Sequence, residues 1–205
     1  MGHPPKPLSS DTALSSSPPD TDQPDRRAIA RRDPAVGAAH AESDIWCGSL
    51  GGMPIQMASV RPEHAADLAG LKAATFIETF AAENDPEHVQ AHVAREFTAE
   101  AVRRTLEDER CSTWWLLDDD APIGFLKVNR GGAQTEPHLG DGLEIEQICV
   151  LARHHGQRLG GRLLEHAIAT ARQEGFPFVW LGVWEHNRKA LAVYEHLGFF
   201  VIGDH

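Results

Sequence analysis

Val183-Trp184-Glu185-His186-Asn187-Arg188-Lys189-Ala190-Leu191-Ala192-Val193-Tyr194-Glu195-His196-Leu197-Gly198-Phe199 reads as the end of a strand, a short helix and the start of another strand. Asn187 stands at the N-cap, where its side-chain oxygen accepts from an otherwise orphaned backbone N–H. Ala190 and Tyr194 follow at i+3 and i+7, so the three residues share one helix face. Gly198 falls where a helix closes most cheaply in the left-handed conformation. An amphipathic helix with a buried tyrosine accounts for any two of these residues.

Upstream, residues 143–164 form a strand-loop-helix unit, LEIEQICVLARHHGQRLGGRLL. Gly156, Gly160 and Gly161 let backbone come close to a ligand where the helix begins. Free N–H groups and the positive helix end make that place suited to a pyrophosphate. A Gly-rich strand-to-helix turn is common and weak by itself. Its position some twenty residues before the Asn/Ala/Tyr helix gives it weight.

Together these stretches resemble motifs A and B of the GNAT N-acetyltransferase superfamily. The pattern N-x-x-A-x-x-x-Y-x-x-x-G-F matches motif B, and His155-Gly156-Gln157-Arg158-Leu159-Gly160 aligns with the Q/R-x-x-G-x-G/A loop of motif A. His155 replaces Gln or Arg there, and Arg158 replaces the middle Gly. The resemblance implies acetyl-CoA as co-substrate. It places the pantetheine arm on the backbone of Ile148, Cys149 and Val150. The pyrophosphate falls on His155, Gly156, Gln157, Arg158, Leu159, Gly160 and Gly161, and Asn187 and Tyr194 face the cofactor. It implies direct attack by a neutral amine, with Tyr194 protonating the departing thiolate. Glu144 takes the amine's proton, and Glu146, which shares its strand face by period two, is the alternative. An alkylamine with a pKa near ~10 is almost wholly protonated at neutral pH, so some group must accept that proton. Residues 71–88, 124–129, 143–147 and 180–187 are most similar to bacterial spermidine/spermine N-acetyltransferases. A polyamine is therefore the lead acceptor, and other primary amines stay open.

The rest of the chain is consistent with such a domain. Of 205 residues, 41% are hydrophobic, and no apolar run approaches a membrane span. The formal net charge is −11, and residues 53–205 carry −9 of it, from 23 Asp and Glu against 14 Lys and Arg. That disfavours nucleic acid as a partner. Cys47, Cys111 and Cys149 form no metal or disulfide pattern. A reducing, cytoplasmic setting follows, with no metal. The histidines at 154, 155, 186 and 196 match no ligand spacing.

Residues 1–52 are rich in Pro, Ser, Ala and Gly and read as a disordered tail. From residue 53 the order is β-α-α-β-β-β-α-β-α-β: strands at 54–60, 112–117, 123–129, 143–150, 178–183 and 199–202, and helices at 61–80, 86–108 (broken near 97–98), 159–174 and 187–197. The fold class is α/β, a mixed, mostly antiparallel sheet flanked by helices. Members of the superfamily continue past Gly203-Asp204-His205 with one more strand, and the chain stops at His205. The expectation is a sheet without its usual last strand and a bare apolar edge at 199–202, open to another copy in a homodimer. A catalytically weak acetyl-CoA-binding module, or a truncated remnant, is the alternative that this departure raises. Glu83 and Asp85 are candidates for attracting a cationic amine.

Overall fold

The computed structural model describes residues 13–15, 26–32, 55–82, 84–185 and 187–204. Eight strands form one sheet: β1 (Ala13–Ser15), β2 (Arg26–Arg32), β3 (Gln56–Ser59), β4 (Cys111–Asp118), β5 (Ala121–Asn129), β6 (Leu143–Val150), β7 (Phe178–Trp184) and β8 (Phe200–Asp204). Five helices flank it: α1 (Ala65–Phe80), α2 (Pro86–Glu96), α3 (Ala99–Glu107), α4 (Leu159–Glu174) and α5 (Arg188–His196). The sheet order is β3-β4-β5-β6-β7-β2-β8, with β1 against β6. Only β6 and β7 run parallel, so the mixed, mostly antiparallel sheet expected from the sequence is present.

Local chemistry explains the boundaries. A single 3-10 turn at Pro62–His64 precedes α1, with Pro in its first position where no N–H is needed. The Asp85 side chain accepts from Glu87 N at 2.8 Å and caps α2, and Thr98 accepts from Ala101 N at 3.1 Å and caps α3. Asp85, read from sequence as an attractor for amines, is thus a helix cap, and Glu83 lies outside the described residues. Asp119 and Asp120 adopt φ of 47° and 65°, as a two-residue hairpin between β4 and β5 demands. On α4, Leu159, Leu163, Leu164, Ala167, Ile168 and Ala171 are buried at helical spacing.

The sheet separates two apolar clusters. One joins β5, β6 and β7 to α4 and α5, through residues such as Leu126, Ile145, Leu163, Leu181 and Tyr194. The other joins α1 and α3 to Trp115, Phe125 and Cys149.

Two expectations need correction. Arg26–Arg32, placed in a structureless tail, is a seven-residue strand between β7 and β8, antiparallel to both. Its centre reads Ala28-Ile29-Ala30, all buried, and Ile29 lies opposite Leu181 and Val201. Small side chains fit a central strand covered on both faces, and Arg27 and Arg32 toward its two ends reach solvent. Ala13–Ser15 also pairs with the sheet. The second correction follows from the first. Strand β2, not β8, lies next to β7; the expected apolar edge is nonetheless present, since β8 ends the sheet order and its Phe200, Val201 and Ile202 are 47%, 50% and 38% exposed.

Candidate active site

The site grows from a defect in the β5–β6 ladder. Lys127 pairs with Gln147 and the next residue, Val128, pairs with Ile145, so Glu146 is an extra residue on β6. Such a bulge bends its strand and re-aims side chains. On the other edge, β6 meets β7 only at Leu143↔Val179 and Glu144↔Trp180. Beyond those pairs the two strands diverge, leaving the backbone edge of Ile148–Val150 free of β7.

Both candidate carboxylates converge on one amide. Asn129 Nδ2 donates to Glu144 Oε2 at 2.9 Å and to Glu146 Oε2 at 2.6 Å. Their surroundings differ. Glu144 is buried and also accepts from Thr135 N at 3.0 Å and from the Thr135 hydroxyl. Burial raises its pKa despite those donors. Glu146 is half-buried and ion-paired with Lys127. Burial pushes its carboxyl up, but Lys127, the Asn129 hydrogen bond and Lys72 together outweigh it, and the pKa lies below the ordinary value. Asn129, Thr135 and Lys127 were not singled out in the sequence. The bulge that unites them leaves no compositional trace.

Tyr194 and Ala190 are both buried on the inner face of α5, as the spacing predicts. Asn187 Oδ1 accepts from Ala190 N at 3.1 Å, the expected cap, and Gly198 closes the helix at φ 81°. Burial raises the Tyr194 pKa well above that of a free phenol, so its proton is retained. Cys149 is buried, with its thiol pushed up to about 12 by the same cause, and is an inert packing residue.

The loop before α4 shows why a glycine suits its middle position. Arg158 is the N-cap of α4 and is left-handed, at φ 58° and ψ 20°. Gly156 has φ 78°, and a Cβ there or at Gly161 meets nothing within 4 Å. Arg162 N is the first α4 amide bonded back, to Arg158 O at 3.2 Å. The amides of residues 159–161 therefore point outward from the helix start. His155 does not face that opening alone: its Nε2 lies 2.9 Å from Val150 O and ties the loop to β6.

These residues fit acetyl-CoA. A strand edge freed by divergence, unencumbered glycines and a helix N-terminus offer an extended arm and a pyrophosphate the partners each needs. The edge of β6 accepts an extended chain, since Ala13 and Ser15 pair with Cys149 and Ile148 there.

A cavity of about 190 Å³ opens on the other side of β6, under α1 and α2. Phe76, Phe97 and Phe125 give it apolar walls, and Lys72, His92 and Gln147 bring polar groups to it. Among the described residues no cluster of His, Cys, Asp or Glu is arranged to hold a metal, and no helix is long and apolar enough to cross a membrane. His186 lies outside the described residues.

The chain belongs to the acetyltransferase (GNAT) family, whose sequence profile matches residues 60–199. It is an acetyl-CoA-dependent N-acetyltransferase. It is 27% identical over 157 residues to an uncharacterised N-acetyltransferase of Lactobacillus delbrueckii subsp. lactis, covering 73% of this chain and 91% of that one. An uncharacterised N-acetyltransferase of Mycobacterium tuberculosis is 27% identical over 139 residues, covering 68% and 85%. Among solved structures, the PaiA N-acetyltransferase of Thermoplasma acidophilum in complex with coenzyme A shares the fold, with a TM-score of 0.61 at 17% identity over 73% of this chain and 92% of that one.

Proposed function

We propose that this protein moves an acetyl group from acetyl-CoA to a primary amine held in the cavity under α1 and α2, by direct attack. The observation that carries the reading is the bulge at Glu146. It parts β6 from β7 and sets a carboxylate between that opening and the acceptor cavity. Bound acetyl-CoA supplies an activated acetyl carbonyl. The backbone of Ile148, Cys149 and Val150 holds the extended arm. The amides from Gly156 and Gln157 through Leu159, Gly160 and Gly161 hold the phosphates, with the Arg158 guanidinium beside them. His155 fixes the loop through Val150.

Glu146 takes the proton of the amine, directly or through water. Its carboxylate is ionised and 26% exposed, whereas Glu144 is buried under Thr135 and Asn129. Glu144 positions Asn129 and through it Glu146. As the N–C bond forms and the C–S bond breaks, the Tyr194 hydroxyl gives its proton to the sulfur. A phenol with a raised pKa arrives at that step protonated.

A polyamine such as spermidine or spermine is the acceptor that the sequence resemblance suggests. Glu146 and Glu96 are the carboxylates near the cavity that favour a cationic chain. Lys72, in the cavity wall, opposes one. The rival reading is an acetyl-CoA-binding module without turnover, favoured by the left-handed Arg158 and by the chain paired on Ile148 and Cys149.

The test is thermal unfolding with and without acetyl-CoA, followed by thiol release with a panel of primary amines that includes spermidine. Ligand at 100 Kd adds about 2.7 kcal/mol of stability to a protein that binds it. Glu146→Gln and Tyr194→Phe are expected to lower kcat by about 10²–10⁴ while the acetyl-CoA shift persists. Stabilisation with no thiol release from any amine would favour the binding module. No stabilisation at all would defeat both readings.

A further inference from the structure

Among the charged groups around the acceptor cavity, Lys72 stands apart. Glu146 is paired with Lys127, and Glu96 with Arg95 at 2.7 Å. Among the described residues the Lys72 ammonium makes no contact ion pair and no hydrogen bond, and Glu146 acts on it only through its field. Its ammonium lies 5.9 Å from the centre of the Phe97 ring and 5.7 Å from that of Phe125. Two aromatic faces steady a cation but do not neutralise it. Across the cavity, Gln147 Oε1 is buried with no hydrogen-bond partner.

A buried cation whose acting carboxylate, Glu146, is already bonded to Lys127, and an acceptor without a donor, are each costly to withdraw from water. Both needs are met by one kind of molecule. An amine N–H satisfies Gln147 Oε1, and an anionic oxygen on the same molecule satisfies Lys72. A polyamine meets only the first, and its further ammonium groups are repelled by Lys72. The burial that lowers the Lys72 pKa to about 8 still leaves it mostly protonated at neutral pH.

We propose that the acceptor is a primary amine bearing a carboxylate, bound with the carboxylate on Lys72 and the amine toward Gln147 and Glu146, and that Lys72 is the residue that selects it. The inference rests on the acetyl-transfer reading for the identity of the reacting amine, but the binding preference stands apart from turnover. The aromatic walls suit a short methylene chain between the two polar ends. The lysine is a specificity residue and takes no part in bond making.

The experiment uses the full chain and a series of ω-amino acids with one to five methylenes, each compared with its neutral amide, and spermidine. Thiol release in the presence of acetyl-CoA gives kcat and KM, and thermal shift without turnover gives binding. For at least one chain length the acid is expected to exceed its amide and spermidine in kcat/KM by tenfold or more. Lys72→Met is expected to raise KM for that acid at least tenfold and to bring the acid-to-amide ratio of kcat/KM to about one, and Lys72→Arg to restore the preference. The melt of each variant checks that it is folded. If an acid stabilises the protein more than its amide, Lys72→Met abolishes that difference and no amine is acetylated, the selection of a carboxylate by Lys72 holds, and the acceptor role falls together with the acetyl-transfer reading. If amides or spermidine are acetylated as well as the acids, or Lys72→Met leaves the ratio unchanged, the inference is overturned and the transfer reading stands. If acids neither bind nor react better than amides, the inference is also overturned.

Discussion

Burial, with Lys127 adding a second positive charge nearby, makes the Lys72 ammonium harder to form than one in water, and Glu146 offsets only part of that. The Lys72 pKa accordingly falls from 10.5 to about 8. The sign of the consequence is fixed. Between about pH 8 and 10.5 the unfolded chain holds this proton more tightly than the folded one, so the lysine destabilises the fold most below pH 8 and ceases to do so by about pH 10.5. Lys72→Met is therefore expected to be more stable than the wild type at pH 7, with the advantage closing across that window. Cys149 and Tyr194, both raised, pull wild type and variant alike in the opposite direction at alkaline pH, so the difference between the two proteins is the quantity to measure by urea titration. A Lys72→Met protein less stable at pH 7 would show that the ammonium has a partner in the fold. Arg158 poses a similar trade. A non-glycine residue in the left-handed region costs about 1–2 kcal/mol, and glycine in its place gives back part of that as chain entropy. Arg158→Gly is expected to be stabilised by up to about 1 kcal/mol by urea titration, yet to bind acetyl-CoA about tenfold more weakly by calorimetry, because a charge-assisted phosphate contact is gone. Unchanged affinity would mean that the guanidinium does not reach the phosphates.

At the scale of elements, the segment from Gly131 to Gly142 gains a role that its composition hides. It reads as a polar loop, and its side chains nonetheless hold β6 and β7. Gln134 is buried; its Nε2 donates to Gly142 O at 2.6 Å, and its Oε1 accepts from Trp180 Nε1 at 3.1 Å. This staples the loop to β7 and places Thr135, whose amide and hydroxyl both donate to Glu144. Gln134→Leu keeps the volume but leaves the indole N–H and a carbonyl without partners, at a cost of about 2–3 kcal/mol. The expected result is a lower urea midpoint together with a fall in kcat, as Thr135 drifts from Glu144. A fall in stability with kcat intact would show that Thr135 holds its place without Gln134. The contrast with α5 explains what is legible in a sequence. Asn187, Ala190, Tyr194 and Gly198 are bound by helical periodicity and end chemistry, which act within a dozen residues. Glu144 and Glu146 were visible as a pair on one strand. Asn129, Lys127 and Lys72 lie 15 to 74 residues from those carboxylates along the chain and reach the site only through strand register and a bulge, or, for Lys72, through the packing of α1 on the sheet, which no local pattern encodes.

For the molecule as a whole, the decisive contact is made by its least typical segment. The order of elements from 56 onward was readable, because each strand and helix carries its own period. Arg26–Arg32 was not. Three small or branched apolar residues between paired arginines look like a basic linker, and only the slot between β7 and β8 gives them a reason to be buried. That slot decides whether β8 belongs to the sheet at all: β8 pairs with β2 and, among the described residues, with no other strand. Removing β2 from the sheet exposes the edges of β7 and β8 at once and uncovers Phe199, which touches Tyr194 at a ring distance of 5.5 Å. Ile29→Asp places a carboxylate in the centre of that strand, 2% exposed in the native protein, where no cation faces it. The expected outcome is loss of a cooperative melt, or a melt followed by aggregation, and with it loss of the acetyl-CoA shift. Arg32→Glu, at the exposed end of the same strand, changes charge by the same sign and is expected to melt within about 0.5 kcal/mol of wild type. Should Ile29→Asp melt like the wild type, residues 26–32 would be dispensable to the fold, and β8 would need another source of support.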